Sequence, residues 1–75
     1  MKLKKILKYI DNEIDVRIWY ADNPSKEYKM WTGEVFKIPK KFKKYQLVEA
    51  ENNDYSQALY PIEDGKLRIT IVKEQ

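Results

Sequence analysis

A two-residue turn signal near the C-terminus constrains the fold more than any other feature of the sequence. Asp64-Gly65 is typical of a type I′ turn, and apolar and polar residues alternate after it over residues 67–71. The signal therefore predicts a β-hairpin. Counted outward from the turn, the predicted pairs are Glu63 with Lys66, Ile62 with Leu67, Tyr60 with Ile69, and Ala58 with Ile71. Pro61 has no N–H to donate, which favours an edge position for the first arm.

The first half of the chain contains a second pair of strand patterns. Apolar and polar residues alternate over residues 14–20, as in a strand with one buried face. A turn-forming cluster at residues 22–25 follows, and a second strand begins near Glu27. Gly33 interrupts this second strand, so we expect a bulge or a bend there.

The register of these two strands decides where the tryptophans lie. Placing Tyr20 opposite Tyr28 brings apolar residues to one face and leaves Trp19 and Trp31 on the solvent face. The resulting pairs are Ile18 with Met30, Val16 with Thr32, Arg17 with Trp31, and Trp19 with Lys29. A slip of one position would turn the tryptophan side chains inward, because side chains alternate between the two faces of a sheet.

An amphipathic segment precedes the first strand. Its apolar residues recur at helical spacing, which predicts a helix of two to three turns with lysines on the opposite side. The apolar residues of this stripe are Leu3, Ile6, Leu7 and Ile10. A helix this short is marginal in isolation, so we expect its apolar stripe to dock on the sheet.

The middle of the chain predicts a short helical turn followed by a strand. Pro39 suits the first turn of a helix because its missing N–H costs nothing there. Residues 39–44 are therefore expected to form one turn anchored by Phe42, and residues 45–51 to form a strand.

Together these elements predict a single α+β domain over residues 1–75. An N-terminal helix packs on a small antiparallel sheet of about four to five strands, with the helical turn near residues 39–44. The alternative is an SH3-like small barrel, which Gly33-x-Val35 and a strongly bent second strand favour.

Composition excludes several classes of chemistry. The chain contains neither cysteine nor histidine, so thiolate nucleophiles, Cys-based zinc sites and histidine general bases are impossible. The glycines form no phosphate-binding loop, and we assign no catalytic, cofactor-binding or metal-binding residue and expect no enzymatic activity. Lys8 and Asp11 interrupt the apolar run of the N-terminus, which argues against a signal peptide, and we expect a cytoplasmic protein without membrane contact.

The charge distribution marks a candidate binding site. Residues 1–44 carry 12 Lys/Arg and 6 Asp/Glu, although the net charge of the whole chain is only +3. Five lysines cluster near the helical turn, and aromatic residues are close to them in sequence or on the predicted outer face. The candidate partner-binding residues are Lys37, Lys40, Lys41, Lys43, Lys44, Tyr45, Arg17, Trp19 and Trp31.

Two functions fit this pattern. Ten aromatic residues exceed what so thin a core can bury, and exposed Trp and Tyr beside charges are typical of protein-binding surfaces. A non-enzymatic protein-binding module is therefore favoured, with a host protein or a ribonucleoprotein as partner. The alternative is a protein that binds single-stranded nucleic acid or RNA through the basic and aromatic residues. The oligomeric state is left open.

Three stretches also resemble a known group of proteins. They are Leu7-Lys8-Tyr9-Ile10-Asp11, Val16-Arg17-Ile18-Trp19-Tyr20 and Gly33-Glu34-Val35-Phe36-Lys37-Ile38-Pro39. The pattern resembles the small accessory proteins of phages and prophages of low-GC bacteria. The resemblance implies a phage-encoded inhibitor that binds a host defence protein stoichiometrically, as anti-CRISPR and other anti-defence proteins do. The chain is basic, so mimicry of nucleic acid is not an expected mechanism.

Overall fold

The computed structural model of the protein describes residues 1–23, 26–52, 54–63 and 65–72. Its elements in chain order are α1 (Leu3–Leu7), β1 (Asp15–Asn23), β2 (Lys26–Glu34), a 3₁₀ helix (Val35–Lys37), α2 (Lys40–Lys43), β3 (Gln46–Leu47), β4 (Leu59–Glu63) and β5 (Lys66–Val72). This is the predicted α+β class, with short helical segments beside a five-stranded sheet.

The sheet is mixed, and the prediction of a purely antiparallel sheet was wrong. Its strand order is β2-β1-β5-β3, and β4 also pairs with β5. β1 and β5 run parallel, with Val16 opposite Leu67 and Ile18 opposite Ile69. The other edge of β5 is shared by two strands, since β4 pairs with its first half and β3 with its end. The sheet does not close into a barrel, so the SH3-like alternative was also wrong.

One face of the sheet, called here the inner face, carries the hydrophobic core. Val16, Ile18, Ile69 and Ile71 are fully buried there. The helical segments contribute Leu3, Val35 and Phe42 to the same core cluster, so they lie on this side of the sheet. The opposite face, called the outer face, has no helix of the described chain against it.

Helix α1 is shorter than predicted but its apolar stripe packs as expected. The α-helix ends at Leu7, and tighter turns follow, in which Tyr9 N–H donates to the Ile6 carbonyl at 2.9 Å and Ile10 N–H to the Leu7 carbonyl at 3.2 Å. Ile6, Leu7 and Ile10 pack partly buried against the core. The chain then turns at Asp11, whose carboxylate accepts the Glu13 N–H at 3.0 Å.

A β-bulge in β2 corrects the predicted register of the first two strands. Tyr20 does lie opposite Tyr28 and Trp19 opposite Lys29, but Ile18 lies opposite Trp31 instead of Met30. Met30 is the extra residue of the bulge and is exposed. The remaining pairs are shifted by one, so that Arg17 faces Thr32 and Val16 faces Gly33. The bulge was expected at Gly33, which instead pairs within the strand.

The C-terminal hairpin forms, with a second unpredicted bulge. Gly65 has the positive φ of 70° that the predicted turn requires, whereas Asp64 and residues 24 and 25 of the other predicted turn lie outside the described residues. Glu63 pairs with Lys66 as predicted, but Pro61, not Ile62, pairs with Leu67. The later pairs are shifted accordingly, and Leu59 takes the place expected for Tyr60. The irregularity follows Pro61, which cannot donate a ladder hydrogen bond.

The middle of the chain is confirmed in part. α2 forms the predicted helical turn, and Phe42 is buried as its anchor. The predicted strand over residues 45–51 is reduced to Gln46–Leu47, because the chain leaves β5 beyond Val48. The N-terminus covers the free side of this short strand, since Leu47 N–H donates to the Met1 carbonyl at 2.8 Å and Leu3 N–H to the Tyr45 carbonyl at 2.9 Å.

Candidate functional site

The sheet separates the residues that the sequence predicted as one site. Arg17 and Trp19 alternate with the buried residues of β1 and therefore lie on the outer face. The lysines lie on the helical segments of the inner side, and Tyr45 and Trp31 pack against the core. The sequence-predicted set is thus divided between two opposite surfaces and the edge of the core.

Trp31 was expected on the outer face, and the bulge at Met30 turns it to the inner face. It lies opposite the buried Ile18, is partly buried, and packs against the core cluster. Its six-membered ring lies over Gly33, where an added Cβ would come within 2.7 Å of Cη2. The absence of a side chain at Gly33 therefore leaves the space that the indole occupies.

Tyr45 packs as a structural residue between α2 and the sheet. Its ring makes an edge-on contact with Tyr20 at 6.3 Å between centroids and a tilted contact with Phe42 at 6.4 Å. Tyr20 belongs to the inner face of β1, so this aromatic group closes one side of the core. Tyr45 is half-buried and presents only part of its ring to a partner.

The outer face has an arginine at its centre. The guanidinium of Arg68 lies 4.4 Å from the ring centroid of Trp19 and forms an ion pair with Glu27. Arg17 lies opposite Arg68 in the parallel pair of strands. No carboxylate of the described residues lies within ion-pair distance of Arg17. The outer face therefore carries one arginine fixed by its neighbours and one whose charge is available.

A groove with a volume of about 360 Å³ opens on the outer face beside Arg68. It is lined by Glu27, Val48, Gln57, Tyr60, Ile62, Arg68 and Thr70. Its walls combine the apolar side chains of Val48 and Ile62 with polar and charged ones. Thr70 is only 4% exposed, whereas Tyr60 is 60% exposed. This set of seven residues is called the outer-face groove below.

A local hydrogen-bond turn supports the chain next to the groove. The Asp54 carboxylate accepts hydrogen bonds from the Ser56 hydroxyl at 2.7 Å and from the Ser56 N–H at 3.0 Å. These bonds, the hydroxyl first, hold the pKa of Asp54 below its ordinary value. The turn precedes Gln57 and Ala58, and the Ala58 carbonyl accepts the Thr70 N–H at 2.9 Å, which ties this segment to β5.

Sequence reasoning missed Tyr60, Arg68 and Glu27 as site residues. The sequence did contain an indication, because Arg17 and Arg68 are the two arginines of the chain. Both occupy polar positions in strands whose residues alternate between apolar and polar. Their convergence could not be foreseen, since it depends on the parallel pairing of β1 with β5. Glu27 and Tyr60 are brought to the same place by β2 and β4.

A second surface, called here the helical face, is formed by residues 1–14 and 35–45. These segments carry nine lysines and two acidic residues, whereas the rest of the chain carries six basic and ten acidic residues. α1 and α2 contact each other, and the Val35 N–H donates to the Ile14 carbonyl at 3.1 Å, so the two segments form one continuous layer. The positive charge of the protein is thus concentrated on one side.

Two aromatic side chains stand exposed on the helical face. Tyr9 is 79% exposed and Phe36 is 58% exposed. Each has a lysine beside its ring, with Lys8 Nζ 5.1 Å from the centroid of Tyr9 and Lys37 Nζ 5.4 Å from the centroid of Phe36. Lys37 also lies 3.6 Å from a Glu34 carboxylate oxygen. Lysines and exposed aromatic rings therefore lie together on the helical face, but the rings are Tyr9 and Phe36, which were not predicted from the sequence as site residues.

Among the described residues, no three acidic side chains come together in a way that could hold a metal ion. No helix in the described ranges is long and apolar enough to cross a membrane. Comparisons with protein-family models, with curated proteins and with solved structures gave no match.

Proposed function

We propose that this protein is a non-enzymatic binding module that docks on a partner protein through its outer face. The observation that carries the proposal is that Tyr60 and Arg68 line the outer-face groove, while Trp19 packs against Arg68 and Arg17 lies opposite Arg68 on the neighbouring strand. Trp, Tyr and Arg are the residue types that dominate binding energy at protein interfaces. Both arginines of the chain lie on this face, although lysine is far more abundant in the chain as a whole.

The geometry of the outer face favours binding because part of it is already ordered. Glu27 and Trp19 hold the Arg68 guanidinium in place, so little side-chain freedom remains to be lost when a partner docks. Tyr60 presents a large exposed ring at the rim of the groove. The groove itself is large enough to receive one apolar side chain of a partner, and its partly apolar walls suit such an anchor.

The partner's chemistry follows from the available charge. Arg17 is half-buried beside Arg68, and its guanidinium can donate two hydrogen bonds to a carboxylate in a bidentate pair. We therefore expect a partner surface that combines an apolar or aromatic side chain with a nearby Asp or Glu.

The resemblance to phage accessory proteins supplies the proposed setting. It favours a host defence protein, or the protein part of a ribonucleoprotein, in the cytoplasm of a bacterial cell. Inhibition would then follow from stoichiometric occupation of the partner's surface, which needs no catalytic residue.

The test is capture from a nuclease-treated lysate of a low-GC bacterium, followed by calorimetry with the captured partner. The affected variants are Tyr60→Ala and Arg17→Ala, and the matched control is Tyr28→Ala, an aromatic residue of β2 that is 49% exposed. Loss of an interface anchor typically weakens binding by about 2 kcal/mol or more, which is roughly thirtyfold in Kd. We expect that loss for Tyr60→Ala and wild-type affinity for Tyr28→Ala.

The proposal fails if the wild-type protein retains no protein that binds in a fixed ratio. It fails equally if Tyr60→Ala and Arg17→Ala together leave the affinity for that partner unchanged. Circular dichroism of each variant confirms that the fold is intact before binding is compared.

A further inference from the structure

We infer that the helical face binds single-stranded nucleic acid through backbone phosphates and stacked bases, without reading sequence. This surface lies on the opposite side of the sheet from the outer-face groove, so the inference stands independently of the proposed protein partner. Its basis is the combination of clustered lysines with two exposed rings that the core leaves unused.

The lysines provide a cationic surface of the right kind. Nine lysines lie on residues 1–14 and 35–45, and those of α2 and its flanks are mostly exposed. α1 and α2 contain no acidic residue, so the ammonium groups along both helices have no neighbouring carboxylate on their own element. The lysine ammonium is a point charge and lacks the planar group of donors that arginine has. It can therefore pair with phosphates in many orientations but is less suited to recognising a specific base edge.

The exposed rings provide the stacking partners. Tyr9 and Phe36 present most of their surface to solvent. Because exposed aromatic surface is unfavourable in water, a ligand that covers these rings would gain free energy. Each ring has a lysine ammonium within 5.4 Å of its centroid. A base stacked on such a ring would bring its phosphate close to a cation, and this pairing of aromatic platforms with a cationic track is how single strands are held without sequence preference.

A membrane surface fits this face less well. An interfacial helix needs an apolar stripe to insert, but the stripe of α1 is turned into the core, with Leu3 fully buried and Ile6 and Leu7 packed behind it. α1 has five residues and α2 has four, so neither provides a helix of the length that reads the major groove of a duplex.

The test is fluorescence anisotropy with labelled oligothymidylate and oligouridylate of about 20 nucleotides, longer than the roughly 4–16 that comparable modules cover. A duplex of the same length and polyglutamate are the competing polyanions. If four or five phosphates are neutralised, log Kd changes with log salt by a slope of magnitude about 3, at about 0.7 per phosphate for single strands. The two oligonucleotides distinguish DNA from RNA as the preferred strand.

Two pairs of variants locate the site. Tyr9→Ala with Phe36→Ala should weaken binding about tenfold or more, because each stacked base contributes roughly 1–3 kcal/mol. Tyr28→Ala with Tyr60→Ala is the matched aromatic control and should leave the affinity unchanged. Lys40→Gln with Lys44→Gln should lower the magnitude of the salt slope by about 1.4, whereas Lys26→Gln with Lys29→Gln, on β2, removes the same charge and should not.

Several results would overturn the inference. The protein could fail to bind the oligonucleotides at low salt, or its affinity could be independent of salt. The two pairs of lysine substitutions could lower the salt slope equally. The affinity for duplex and for polyglutamate could equal the affinity for single strands. The last result combined with an unaffected Tyr9→Ala and Phe36→Ala variant would identify the face as a surface for acidic proteins instead. Nucleic-acid binding that survives in the Tyr60→Ala variant separates this inference from the proposed function.

Discussion

The absence of a side chain at Gly33 determines where the indole of Trp31 can lie. The φ of Gly33 is not in the left-handed region, so glycine is needed there for space and not for backbone conformation. The ring of Trp31 occupies the position where a Cβ would stand, with Cη2 at 2.7 Å and Cζ2 at 2.8 Å. Such a contact is far inside van der Waals distance, so any side chain here must displace the indole.

We predict that Gly33→Ala moves Trp31 into solvent and lowers the free energy of unfolding by about 1–3 kcal/mol. In a Trp19→Phe background, Trp31 is the single tryptophan, so its emission should shift to longer wavelength. Gly65→Ala is the control, because its Cβ would meet nothing within 4 Å while its φ of 70° still costs stability. It should destabilise by about 1 kcal/mol without changing the emission. Unchanged emission in Gly33→Ala would contradict the assigned contact.

At the scale of elements, the sequence predicted which segments form structure better than how they pair. The N-terminal apolar stripe, the helical turn anchored by Phe42 and the C-terminal hairpin all form. These features depend on local spacing and on turn residues, which a single segment carries by itself.

The pairing of strands was less predictable because several arrangements satisfy the same alternation. Val16 and Ile18 reach the inner face whether β1 meets β5 in parallel or antiparallel orientation, so the pattern alone cannot choose between them. The bulge at Met30 likewise accompanies the placement of Trp31 over Gly33, and this contact is made only in the folded sheet. Both arginines therefore appeared as separate surface residues, and the outer-face groove could not be predicted.

The bulge makes a direct prediction about deletions. Met30 is the residue without a partner, so deleting it leaves Lys29 opposite Trp19 and Trp31 opposite Ile18 in an uninterrupted ladder. We expect this variant to fold with a free energy of unfolding within about 1 kcal/mol of the wild type. Urea denaturation followed by fluorescence of Trp31 in the Trp19→Phe background measures both stability and burial.

Deletion of Thr32 is the matched control for this experiment. It also removes one residue from β2, but a continuous ladder then places Met30 opposite Ile18 and turns Trp31 to the outer face. We expect this variant to lose stability by several times more than the Met30 deletion and to show exposed tryptophan. Equal behaviour of the two deletions would show that the position of the bulge does not fix the register.

At the scale of the whole molecule, charge is divided between the two sides of the sheet. The helical face concentrates lysines, and the remainder of the chain carries an excess of acidic residues. Repulsion among like charges at short distance opposes folding, and it is screened as the Debye length falls to about 10 Å at 0.1 M salt. A chain selected for stability alone would intersperse the two signs, so this separation is an argument for a polyanionic ligand on the helical face.

The cost of that separation is measurable at Lys4. Lys4 and Lys8 are four residues apart at α1, where like charges destabilise and a Glu–Lys pair in this order stabilises. We predict that Lys4→Glu raises the free energy of unfolding by about 0.5–1 kcal/mol at low salt, and that the gain shrinks as salt is added. Lys29→Glu, on β2 outside the helical face, makes the same change in net charge and should give no comparable gain. An equal gain from both substitutions would mean that only net charge matters. A gain specific to Lys4, together with weaker oligonucleotide binding, would show that Lys4 lowers the stability of the fold and contributes to ligand binding.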